Sequence, residues 1–224
     1  MILSLIVPLF RRKVNDTMER IDVSRIKANK WRQGCVFPQE ATLIIAEQHF
    51  SDVVVVENSR LIIISQSCDI AYHKEYEEPW VEVLLARPIS KHDNSLTQGR
   101  NPRRYHLAIR DNETQTTQWF ETSINDRFTI QRNYCVDFAP DAKKYLSNDE
   151  IKAIKNWLVY RYLRSAFPDA FNDRIRQQKN ELKKLLKKEG TQYLSGIYLH
   201  VTDEELQDGK PYAIELLGAI TKEH

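Results

Sequence analysis

The chain has 224 residues, 42% hydrophobic and 29% charged, with 33 lysines and arginines against 31 acids and a formal net charge of +2. That length sustains a sizeable core, and the apolar share excludes a disordered chain. The near balance of charge gives no argument for a polyanion partner and leaves that role to local patches. Cys35, Cys68 and Cys135 are odd in number and far apart, a pattern that suits reduced thiols in a cytoplasm better than a secreted disulfide framework.

The first ten residues, MILSLIVPLF, are apolar and precede Arg11, Arg12 and Lys13. A secretory signal carries its charge before the apolar run, not after it. A membrane span needs about 20 apolar residues. The segment is expected to be a core strand; the alternative is an apolar peptide that docks on a partner or a membrane surface.

Residues 1–30 form a lead-in whose second half alternates charge with Met18, Ile21, Val23 and Ile26, as in a short helix. A series of short strands is then expected at 36–37, 42–46, 53–56, 61–64, 80–86, 105–109, 118–121 and 128–136, from their β-branched and apolar content. Pro38, Pro79, Pro88, Pro102 and Pro140 fall between these runs, where a missing N–H does no harm. Regular short strands over 31–140 predict a barrel-like or strongly bent antiparallel sheet. At Ser147-Asn-Asp-Glu150 the pattern becomes a capping box, and Ile151, Ile154, Leu158 and Tyr162 follow at helical spacing to about residue 165. Phe167-Pro168-Asp169 starts a second helix, which carries Phe171, Ile175, Leu182, Leu185 and Leu186 to Gly190. Residues 191–224 then read as two strands, 196–201 and 212–220, around an Asp208-Gly209 turn. The fold class is α+β: a bent sheet, a helical pair over 147–190 and a C-terminal β element expected to pack on the helices.

The segment 61–70, LIIISQSCDI, runs an apolar strand straight into Ser65, Gln66, Ser67, Cys68 and Asp69. A strand end is a place where a rigid sheet fixes what a loop presents. Four readings compete. In the first, the loop is a turn in which Ser and Asp cap backbone amides and Cys68 packs as a small apolar group. In the second, Cys68 is a nucleophile aided by Asp69 and His73, with Ser65 and Gln66 contacting a ligand. In the third, Cys35, Cys68, Cys135 and His73 form a zinc set. No C-x-x-C pair supports this third reading, and no metal or cofactor is expected.

The fourth reading rests on a resemblance. Gly34, a strand, Arg60-Leu-Ile-Ile-Ile-Ser65, and 81–86 closing on Arg87-Pro88-Ile89-Ser90 together resemble the MazF/PemK toxin barrel over about residues 34–90. That resemblance implies an SH3-like barrel and metal-independent cleavage of single-stranded RNA, with Arg60 and Ser90 at the positions of the family's basic residue and threonine. Cys35 stands where the family has Asp, and Leu61 where it has Pro.

Basic patches are a second theme. Gly99-Arg100-Asn101-Pro102-Arg103-Arg104-Tyr105 sets Arg100, Arg103 and Arg104 beside Tyr105, with Lys91 and His92 upstream. Such a loop can grip phosphates and stack on a base. The second helix carries Arg174, Arg176, Lys179, Lys183, Lys184, Lys187 and Lys188 against Asp173, Glu181 and Glu189, a face able to track a phosphate backbone. Arg161 and Arg164 share a helix face and could meet Asp169, Asp69 or an anionic ligand. No phosphate-cradling glycine loop, H-E-x-x-H, G-x-S-x-G or dinucleotide fingerprint is present, and six glycines leave little material for one.

These observations lead to an expected nucleic-acid-associated accessory protein, RNA or DNA, in a bacterial or phage defence or toxin–antitoxin setting. Two alternatives are an enzyme using the Ser65–Asp69 loop, with Cys68 as nucleophile or as a metal-independent ribonuclease, and a non-catalytic module that binds a larger protein through the N-terminus or the helical pair.

Overall fold

The computed structural model describes residues 21–50, 53–74, 77–163, 167–178, 180, 181, 184, 194–202, 204–206 and 209–220. The expected strand at 1–10 and the residues Arg164, Lys179 and Lys183 lie outside these, as does the second helix from 185 to Gly190. The chain divides into two units, one of Met1–Lys91 with Leu107–Ile151, the other of His92–His106 with Lys152–His224.

The first unit opens with α1 (Val23–Ala28), where the Asp22 carboxylate accepts the Arg25 N–H at 3.0 Å, a standard N-cap bond. The strand expected at 42–46 is instead the middle of a helix, α2 (Gln39–His49). Its buried residues Ala41, Thr42, Ile45 and Ala46 repeat with helical spacing, and Pro38 and Glu40 stand where a helix start favours them. Here packing of one face overrides the strand propensity of Thr42, Ile44 and Ile45. Residues 53–56 form no strand either, and Val54 is 71% exposed.

β1 (Arg60–Ile63) is buried throughout and leads into α3 (Ser67–Ile70). β2 (Trp80–Ile89) is the axis of the sheet. Around it come β3 (Arg104–Asp111), β4 (Thr117–Ser123), β5 (Arg127–Gln131), the short helix α4 (Tyr134–Asp137) and β6 (Lys144–Tyr145). The order is β1-β2-β4-β3-β6, with β5 also on β2. β1 pairs with β2 from Arg60↔Ala86 to Ile63↔Val83. β4 and β5 pair with successive parts of β2, Arg87↔Glu121 in one register and Leu84↔Arg127 in another. The shift between them is taken up by a 3-10 turn, Ile124–Asp126, closed by a capping box between Ser123 and Asp126. Arg87 holds that turn through Asp126 at 2.7 Å, and Arg127 is ion-paired with Glu82. Extra residues on one strand bend a sheet and raise its twist, and the antiparallel sheet curls into the expected half-barrel.

Two strand expectations need correction in this region. Pro88 lies inside β2, opposite Phe120; the β1 pairing stops at Ala86, so Pro88 sits beyond β1, where its missing N–H interrupts no β1–β2 pair. The run 128–136 is a strand only to Gln131, because Arg132 and Asn133 turn the chain into α4 and Cys135 drops into the core. That core takes Leu61, Ile63, Val81, Val83, Leu85 and Ile130 from one sheet face, with Ile45 of α2 and the stacked pair Phe50–Phe128, 3.9 Å apart. Ile62, Leu84 and Phe120 are buried on the opposite face.

α5 (Asn148–Leu163) starts as expected, with the Ser147 hydroxyl accepting the Glu150 N–H at 3.2 Å. In the second unit, α6 (Asp169–Gln177) has its first amides taken by a carboxylate from elsewhere in the chain: Asp169 and Ala170 donate to Glu205 at 3.0 and 2.7 Å. Phe171 meets Tyr212 edge to face at 5.3 Å, and the Arg174 guanidinium lies 5.0 Å over the same ring. β7 (Leu194–Val201) and β8 (Ile214–Ile220) make a two-stranded antiparallel ribbon. Among the described residues no helix is long and apolar enough to cross a membrane.

Candidate functional site

The loop after β1 is held from three directions, by Glu82, Gln33 and Arg132. Ser65 Oγ accepts the Glu82 N–H at 2.8 Å, and Ser67 Oγ accepts the Gln33 N–H at 3.1 Å. Gln33 also donates to the Ile64 carbonyl at 2.7 Å. Arg132, fully buried, donates to the carbonyls of Asp69 and Tyr72, both at 3.0 Å. Ser65, half-buried, braces the loop against β2, whereas Gln66, Ser67 and Cys68 are exposed.

The chemistry of Cys68 runs against nucleophilic use. Its Sγ lies 3.2 Å from Asp69 Oδ1 and 3.8 Å from Gln66 Oε1, both acceptors. The thiol donates to the Asp69 carboxylate, and this hydrogen bond, with the neighbouring negative charge, pushes its pKa above the ordinary thiol value. A reactive thiolate needs the opposite, a cationic or basic neighbour. His73 makes its ring contact with Tyr72, 4.9 Å away. Cys35 is half-buried and accepts the Arg32 N–H, while Cys135 is wholly buried.

Arg60 and Ser90, the residues singled out by the barrel resemblance, are placed apart. Arg60 pairs with Ala86, and Ser90 lies four residues on, just past the end of β2, or about 13 Å away at strand rise. The Arg60 side chain is buried. It is 7% exposed, with Nη1 donating to Gln39 Oε1 at 3.2 Å and to the Ser59 carbonyl at 2.9 Å. Burial lowers its pKa, and the charge of Asp141 opposes that.

The arginine loop of the second unit is ordered by its own polar groups. Asn101 Oδ1 accepts the N–H groups of both Arg103 and Arg104, at 2.9 and 3.0 Å, an Asx turn. The Asn101 carbonyl accepts the indole N–H of Trp157 at 2.8 Å. Gly99 has φ +76°, in the left-handed region that favours glycine, and a Cβ there would sit 3.7 Å from the Cα and Cβ of Trp157. The loop thus lies directly on one turn of α5. Arg100 Nη1 donates to the Asn94 carbonyl at 3.0 Å, and Arg100, Arg103 and Arg104 are all exposed. The acid of the stretch, Asp93, is engaged with the Ser95 N–H at 2.8 Å, and its own N–H donates to His106 Nδ1 at 3.0 Å. Those bonds to Ser95, with the charges of His106 and Arg104, hold its carboxyl below the ordinary range.

Tyr105 does not do what its place beside the arginines suggested. It is 1% exposed, with its ring 5.3 Å from Trp157. In a strand that alternates faces, it points inward to pack on the helix. The aromatic side chain available near the loop is Tyr160, 61% exposed, three residues beyond Trp157; Arg161, exposed, is four beyond. That spacing puts both beside Trp157 on the helix surface. The sequence signal for Tyr160 was the i+3 spacing from a tryptophan, legible only once Trp157 is known to be the buried member. Arg174 is committed to Tyr212 and to the Lys210 carbonyl, 2.5 Å away.

A different surface in this unit is apolar. The pairs Leu199↔Leu216 and Val201↔Ile214 put these residues and Ile197 on one ribbon face, where Ile197, Leu199, Ile214 and Leu216 are 41, 37, 48 and 66% exposed.

No family model matches the chain, and no match was found among curated proteins or solved structures.

Proposed function

We propose that the protein binds nucleic acid through the Gly99–Arg104 turn and the adjoining turn of α5, as a non-catalytic accessory factor. The observation that carries this reading is an exposed arginine triplet, Arg100, Arg103 and Arg104, on a loop fixed by Asn101 and Trp157. Arginines carried on an ordered loop backbone lose less freedom on gripping phosphates than those on a mobile loop. The barrel resemblance makes RNA the first probe and a defence or toxin–antitoxin setting the context to test. The test is titration of labelled RNA across a salt series. Arg100, Arg103 and Arg161, each neutralising one phosphate, give a log–log slope of about −2 on a single strand. The double variant Arg103→Ala/Arg161→Ala is expected to flatten that slope by about 1.4. Absence of binding at low salt, or an unchanged slope in the variant, refutes the reading.

A second reading, a protein-interaction module, is favoured by the apolar ribbon face around Leu216. The occupant it calls for is a second copy of the chain, since a face without charged side chains among Ile197, Leu199, Ile214 and Leu216 meets no repulsion against itself. It ranks second because strands of eight and seven residues offer a footprint of only about 250 Å², well short of the roughly 800 Å² each partner gives a standard interface. Sedimentation decides: a monomer at high concentration, or a dimer indifferent to Leu216→Glu, removes it.

A further inference from the structure

A cationic loop alone does not distinguish a duplex from a single strand, since both present phosphates. Tyr160 does. Taking Trp157 as the reference direction on α5, the helical rotation of about 100° per residue sets Tyr160 about 60° to one side and Arg161 about 40° to the other. Both lie one turn towards the C-terminus of the helix. Helical side chains tilt back towards the N-terminus, so Tyr160 and Arg161 lean over the turn on which Gly99 rests. Tyr162 and Leu163, also exposed, come at rotations on the far side of the helix and are not candidates. Tyr105 is buried against Trp157 and presents no face.

We propose that this site takes an unpaired base, stacked on the Tyr160 ring, with the neighbouring phosphates held by Arg161 and by Arg100 or Arg103; the ligand class is single-stranded nucleic acid. This rests on the nucleic-acid reading above and narrows it. The argument is one of complementary surfaces. An aromatic ring left 61% exposed, next in sequence to Arg161 and on the helix against which the ordered arginine loop rests, offers a π-face and cations together, the pairing by which single strands are bound without sequence preference. In a duplex the faces of the bases are already stacked on each other, so the ring finds only phosphate and sugar. Gly99 takes part in the same arrangement. Its φ is +76°, and a Cβ added to it would meet Trp157 at 3.7 Å, so the loop backbone lies against the helix surface and Arg100 leaves it beside the turn of Trp157, one turn before Tyr160.

The experiment uses the full chain and a labelled mixed-sequence RNA of about 12 nucleotides, within the usual single-strand site sizes, alone and annealed to its complement, at low and moderate salt. The single strand is expected to bind more tightly than the duplex. Tyr160→Ala is expected to weaken single-strand binding about tenfold, the loss typical of one stacked base, and to leave duplex binding within about twofold. Tyr160→Phe keeps the π-face and is expected to behave as the parent. Because the residue is exposed, neither variant should disturb the fold, which thermal melting of each checks. Binding that does not distinguish the two forms, or a Tyr160→Ala protein that binds the single strand as the parent does, overturns the inference and leaves phosphate contacts standing. No binding of either form refutes the nucleic-acid reading itself, and this inference with it.

Discussion

The buttress under the arginine loop can be tested apart from any ligand by replacing Trp157 with Phe. Trp157 is 1% exposed, donates its indole N–H to the Asn101 carbonyl at 2.8 Å, and packs against Tyr105 at 5.3 Å. Phe keeps an aromatic ring but removes the donor and the second ring. Loss of a donor to a part-buried carbonyl costs about 1–2 kcal/mol, and the space left by the smaller ring about 1–2 kcal/mol more. The sum, about 3 kcal/mol, corresponds to a fall in Tm of about 6–12 °C for a chain of this length unfolding as one. Arg103→Ala supplies the contrast: its side chain is exposed, so the Tm should stay within about 1 °C while RNA affinity falls. Differential scanning calorimetry of both variants reads the difference. A Trp157→Phe protein that melts like the parent would show that the loop is not held by this residue, and the case for a pre-arranged cationic surface would lose its foundation.

Two further outcomes concern the loop after β1. Arg132→Met removes the donor shared by the Asp69 and Tyr72 carbonyls; a stability loss of about 2–4 kcal/mol is expected, with faster amide exchange over residues 66–73, and protection equal to the parent's would contradict it. Cys68, with its pKa raised by the hydrogen bond to Asp69, should carry less thiolate at pH 8 than a free peptide thiol and alkylate more slowly with iodoacetamide. Asp69→Asn withdraws the charge, lowers the thiol pKa and should accelerate alkylation; mass spectrometry of the labelled peptide follows it, and a parent rate above that of the peptide thiol would restore the nucleophile reading.

How much of this was legible in the sequence depends on the kind of signal. Strands with apolar residues at both parities, such as 61–64 and 80–86, were readable because burial on both faces leaves a continuous hydrophobic run. The helix start at Ser147 was readable because its N-cap is a local bond between residues three apart. The 42–46 segment was not: Thr-Leu-Ile-Ile-Ala satisfies strand propensity and helical spacing alike, and only the packing of Ala41, Ile45 and Ala46 in the core decides. The same limit applied to Arg60 and Tyr105. Each stands next to polar or basic neighbours in sequence, yet each is buried because its neighbours in space, Gln39 for one and Trp157 for the other, are 21 and 52 residues away.

The consequence for function is a transfer of roles between residues that sequence proximity had grouped. Arg100, Arg103 and Arg104 keep the exposed positions the loop composition implied, but the aromatic partner moves from Tyr105 to Tyr160, and the residue joining loop to helix is Trp157. A buried Tyr105 is what makes an exposed Tyr160 useful: it packs against Trp157, whose indole and backbone carry Asn101 and Gly99. Charge, rigidity and an open π-face are then supplied by different residues of one helix turn and one loop. Removing the rigid member should lower both stability and affinity, whereas removing an exposed one should lower affinity alone. A surface on which every substitution moved the two together would be packing and nothing more.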